Sequence, residues 1–131
     1  MNGLAKGAQL AYKYVIAAFV VGCVVQFFLA GRGVFGIRGA EALSDQSSLD
    51  PHRMLGNVLA GLAVIVFLCA LLLRDQTKIV WTGTLVVLSE AVQHLTAEPS
   101  DPWLSGLHPV SGIAILAIGG MLAHRAWHAR S

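Results

Sequence analysis

The chain has 131 residues, of which 56% are hydrophobic and 12% charged, with a mean hydropathy of +0.68. This is the balance of a single membrane-embedded domain, residues 1–131, and not that of a soluble globular one. The net charge of +2 comes without a basic patch interleaved with aromatics, which argues against a nucleic-acid partner, and the two cysteines have no CxxC or Cys/His ligand spacing.

Four apolar runs, residues 10–31, 52–73, 79–95 and 108–126, are long enough for helices that cross about 30 Å of hydrocarbon. None shows the alternation of a barrel strand. The first is too long for a signal peptide and lacks a usual cleavage site at its end. It finishes VVQFFLAG, with Gln26 about one turn from the terminus. Residues 32–51, rich in Gly, Ser and Asp, form the first long connection. The second run opens DPHRMLGNVLAG, placing His52 four residues ahead of Gly56 with Arg53 alongside. Cys23 and Cys69 fall at opposite depths of these two helices, too far apart for a disulfide. After a short basic turn at residues 74–78, the third run ends LSEAVQHLTA, carrying Glu90, Gln93 and His94. A second connection with Pro99 and Pro102 follows. The fourth run opens GLHPVSGI, with His108 four residues ahead of Gly112 and Pro109 as a helix-start signal. It closes with HRAWHAR, where His124, Trp127 and His128 read as an interfacial anchor, and Trp81 and Trp103 have the same explanation. Gly112, Gly119 and Gly120 are expected to let the fourth helix pack closely.

One order of residues occurs twice: Val-Gln near a helix end, a connection, then His-x-x-x-Gly at the head of the next helix. The copies are Val25, Gln26, His52, Gly56 and Val92, Gln93, His108, Gly112. This predicts an all-α, integral membrane, up-down-up-down four-helix bundle built from two related helical hairpins. Lys6, Lys13, Arg74, Lys78, Arg125 and Arg130 outnumber Arg32, Arg38 and Arg53 on the other side, which predicts both termini in the cytoplasm. His52 and His108 then head diagonal helices at the outer face.

A histidine with Gly one turn on has a bare patch of helix beneath its ring, where a flat ligand can approach. Two such positions suit b-type haem held from both sides by His52 and His108, with Arg53 beside the propionates. His94 lies at similar depth, so three imidazoles holding zinc or copper form an alternative. Glu90 is expected inside the bundle as a carboxylate near the ligand histidines, with Gln26 and Gln93 as further polar neighbours. No catalytic constellation is legible, so binding and electron transfer with a redox partner are expected ahead of enzymatic turnover. The competing reading is a non-enzymatic accessory protein with no cofactor, whose polar residues serve only as bonds between helices.

The segments QFFLAGRGVFG, DPHRMLGNVLAGL, AVQHLTA and LHPVSGIAI, in that order, resemble a family of small uncharacterised four-span bacterial membrane proteins, over residues 14–123. That resemblance implies the bacterial inner membrane and is silent on activity. More distantly, HRMLG is similar to a His-Arg-x-x-Gly segment of the haem A synthase family. It implies haem between His52 and His108. That family carries Glu three residues before the first of these histidines, where this chain has Leu49, and eight spans in place of four.

Overall fold

The computed structural model describes residues 3–36, 47–97 and 101–128, and these are all-helical. Helix α1 spans Gly3–Gly36. A 3₁₀ turn, Ser47–Leu49, leads into α2, Asp50–Leu73. Next come α3, Gln76–Val86, a π-helical turn, Val87–Val92, and α4, Gln93–Ala97. Helix α5 spans Pro102–His128. By length and composition α1, α2 with its leading turn, and α5 can each cross a membrane.

Each element lies where an apolar run was expected, with different ends. Helix α1 is longer than residues 10–31 at both ends, because nothing between Gly3 and Gly36 breaks it. Gly33 stays helical with Leu49 packed directly against it, and Ser48 Oγ donates to Gly33 O at 3.1 Å. The third run is interrupted by the π turn. The fourth helix begins at Pro102, so Pro109 lies inside α5 and is not its start. Asp101 accepts from Trp103 N at 2.8 Å ahead of that first proline, which is the ordinary chemistry of a helix start. Arg38, Glu41, Asp45, Glu98, Pro99 and Arg130 lie outside the described residues.

The α2–α3 connection is two residues. Arg74 adopts a left-handed conformation, φ 53°, and its N–H donates to Leu71 O, closing α2. Asp75 then caps α3: its Oδ1 accepts from Lys78 N at 3.1 Å and its Oδ2 from Lys78 Nζ at 2.8 Å.

The core follows helical spacing. Tyr12, Ile16, Phe19 and Cys23 line one face of α1, and Leu59, Ala63, Val66 and Ala70 one face of α2, joined by Leu85, Ile115 and Leu122. The opposite faces are equally apolar yet open: Phe28 is 69% and Ile113 61% exposed. An apolar outside around an apolar inside is what lipid, not water, accommodates. Helix α1 packs against α2 and α5, α2 against α3, and α4 and the π turn against α5; α2 and α5 make no backbone contact. At Gly119 α5 packs closely on α1, since a Cβ there would lie 3.1 Å from the buried Phe19 ring. Gly120, expected to do the same, faces open space.

Candidate functional site

His52 and Gln26 are joined by two bonds running in opposite senses. The His52 ring donates from Nδ1 to the backbone O of Gln26 at 3.2 Å, and Gln26 Nε2 donates back to His52 O at 2.8 Å. The same two bonds recur between His108 and Gln93: Nδ1 to Gln93 O at 3.2 Å, and Gln93 Nε2 to His108 O at 3.0 Å. A carbonyl oxygen only accepts, so both rings carry a proton on Nδ1, and in a neutral ring Nε2 is then the acceptor; at His52 that nitrogen lies 3.5 Å from Gln26 Nε2. The spacing His-x-x-x-Gly has a local cause here. The carbonyl of a helical residue already receives the N–H four residues on, and a glutamine amide reaches it as well more easily where that fourth residue carries no side chain. A Cβ at Gly56 would lie 3.1 Å from Gln26 Nε2, and one at Gly112 3.7 Å from Gln93 Nε2 and 3.4 Å from the Phe27 ring.

The two imidazoles come from helices whose backbones do not touch, and their ring centroids are 6.1 Å apart with the planes at 66°. Both line a cavity of about 660 Å³, floored by apolar residues such as Phe19, Leu59 and Ile115. Two buried polar atoms of residues lining this cavity, Gln26 Oε1 and Ser89 Oγ, have no hydrogen-bond partner among the described residues. The halves differ in this respect. Gln93 Nε2 also donates to Ser111 Oγ at 2.8 Å, and Ser111 Oγ donates to His108 O at 2.9 Å. Leu55 stands at the corresponding place in the first half, three residues after His52. Thr96 Oγ1 adds a contact to His108 Nδ1 at 3.4 Å.

The other expected residues are placed differently. Arg53 lies at the cavity, exposed, with its guanidinium 3.4 Å from Asp50. His94 also lines the cavity, but its exposed ring donates from Nδ1 to Glu90 O of its own helix at 2.7 Å. Among the described residues no three His, Cys, Asp or Glu side chains come together as a metal would need. Glu90 shares a face with His94, as expected, but does not join it in lining the cavity. It is exposed and bonds neither Gln26 nor Asn57, and the buried polar residue of this turn is its neighbour Ser89. Cys23 and Cys69 are free and buried. At the far end, the His124 and His128 rings stack at 4.2 Å, and Lys13 Nζ sits 4.0 Å over Trp127.

Ser89, Ser111 and Thr96 carry no signal in the sequence. Each is one hydroxyl in an apolar run, recognisable only once the neighbouring helix is in place.

The profile of a family of unknown function, DUF6220, matches residues 26–98, more than half of the chain, and the chain belongs to that family. The match takes in Gln26, His52, Glu90, Gln93 and His94 and stops before His108. No curated protein and no solved structure matches.

Proposed function

We propose that this member of the DUF6220 family is an up-down-up-down four-helix bundle of the bacterial inner membrane, with both termini cytoplasmic. We further propose that it binds b-type haem between His52 and His108 and passes electrons to a redox partner. The observation that carries the reading is the pair of imidazoles beside one cavity, each fixed by an Nδ1–H bond to a glutamine carbonyl, with Nε2 of His108 unbonded among the described residues and Nε2 of His52 met only by a long 3.5 Å contact from Gln26 Nε2. Ligating histidines are held in this way, their second nitrogen tied to a carbonyl or carboxylate. Two iron–nitrogen bonds of roughly 2 Å, plus about 1 Å from each nitrogen to its ring centre, ask for centroids about 6 Å apart. The observed separation is 6.1 Å. A cavity of about 660 Å³ is within the roughly 300–1,000 Å³ of cofactor sites. Arg53 at the cavity suits propionate carboxylates, and the free Gln26 Oε1 and Ser89 Oγ are polar atoms a ligand would cover. Bound there, haem would supply one-electron chemistry; the chain's own residues orient the ligands and exclude water.

The cofactor-free accessory reading is supported by the same glutamine bonds, since they tie α1 to α2 and α4 to α5 without any ligand. An absorption spectrum of detergent-purified protein separates the two. A Soret band with reduced α and β bands is expected, lost in His52→Ala and in His108→Ala, and only shifted in His94→Ala. Full haem retention by both of the first two variants would overturn the assignment.

A further inference from the structure

We infer that the outward face around Glu90 and His94 is the interface between two copies of this chain. The inference rests on the membrane reading above and is independent of haem.

Glu90 is exposed, and among the described residues its carboxylate makes no hydrogen bond or ion pair. Between it and the end of α4 at Ala97 lie about 10 Å of helix, so it stands well inside the bilayer among the exposed, apolar Val87 and Leu95. A carboxylate at such depth faces a bundle interior, a water-filled cavity or a partner. Glu90 is exposed and is not among the residues that line the cavity, which leaves the partner.

The same face supplies what would complete it. His94 follows one turn later, and the bond from its Nδ1 to Glu90 O at 2.7 Å draws the ring back toward the depth of Glu90. His94 borders the cavity, yet its ring is exposed, so Nε2 is accessible to a second copy. A two-fold axis along the membrane normal sets two such faces side by side at equal depth, with the acid of each copy across from the imidazole of the other. This is the self-complementarity an isologous dimer requires. Two reciprocal hydrogen bonds, each sharing one proton between the Glu90 carboxyl of one copy and the His94 Nε2 of the other, then replace two acids facing lipid, and the small Ala91 between them allows close approach. A different protein bringing only a cation would match Glu90 and leave His94 unused.

The test uses the whole chain in native membranes and in detergent. An Ala91→Cys variant should form a disulfide-linked homodimer under mild oxidant, and the parent chain, whose Cys23 and Cys69 are buried, should not. Light scattering should give a dimer for the parent and monomer for Glu90→Ala and for His94→Ala at equal helicity, a loss of at least about tenfold in dimer affinity. The double exchange Glu90→His with His94→Glu should restore the dimer, which no merely structural role predicts. The His52→Ala chain should dimerise like the parent, so the haem reading can fail alone. A monomeric parent, Ala91→Cys linked only to another protein, or an exchange as monomeric as the single variants would overturn the proposal.

Discussion

Gly56 and Gly112 hold equivalent places beneath a glutamine amide, yet their surroundings differ by enough to separate them. A methyl at Gly112 meets its neighbours at ordinary contact distances, so Gly112→Ala should keep the roughly 0.5–1 kcal/mol that Ala gains over Gly in a helix. At Gly56 the methyl crowds the amide at 3.1 Å, and losing its hydrogen bond costs about 0.5–1.5 kcal/mol, which cancels or outweighs that gain. Thermal unfolding in detergent should therefore rank Gly112→Ala above the parent and Gly56→Ala at or below it. A sharper contrast is expected at the glycine pair of α5. Gly119→Ala forces Phe19 and Val20 to shift and should destabilise by about 1–2 kcal/mol, whereas Gly120→Ala, facing open space, should not. The reverse order would mean that α5 does not lie against α1 as described. At this scale the sequence reveals that His-x-x-x-Gly recurs, but not why. The gap suggests room for a flat ligand, and only the fold shows a glutamine filling it, because the amide arrives from a residue 30 positions from Gly56 and 19 from Gly112.

Among the elements, the third is the least regular and its start the best defined. The Asp75 carboxyl is held below the usual carboxylate range, first by the hydrogen bond from the Lys78 side chain and then by the Lys78 backbone N–H, against a smaller opposing effect of burial. A carboxyl whose native pKa is depressed stabilises fully above its unfolded value, near about 4, and the contribution is lost as pH falls through the lowered native value. Asp75→Ala should cost about 1 kcal/mol at neutral pH, as for other helix caps, and should remove this part of the acid sensitivity below about pH 4. Unfolding curves at pH 7 and pH 3 check both; an equal loss at the two values would contradict it. Apolar run length shows where this helix lies. The π turn is not legible, since Val87–Val92 holds no Pro or Gly to mark it, and its effect on which residues face in depends on α2 and α5. That is why Glu90 reads as an interior residue from spacing alone and is found outside. Pro109 misleads for a related reason. Pro102 with Asp101 makes an equally good start about two helical turns earlier, and apolarity alone places the boundary at the denser run.

For the molecule as a whole, the distribution of Lys and Arg predicts one orientation, and the two ends carry residues that report it. A cysteine at Ser47 should be labelled from the outer side by a membrane-impermeant thiol reagent, and one at Gln76 only after the membrane is opened. Labelling the other way round would move the histidine cavity to the cytoplasmic face.

The backbones of α2 and α5 do not touch, and the His52 and His108 rings face each other across the gap with centroids 6.1 Å apart. A molecule joining those imidazoles would therefore be a cross-brace between two helices that otherwise share only side-chain packing in the core, adding resistance to shear between them. Its effect would follow mass action: at a hundred times its Kd such a brace adds about 2.7 kcal/mol to the folded state. The rigidity of this chain would then be set less by its own residues than by how much ligand the cell supplies.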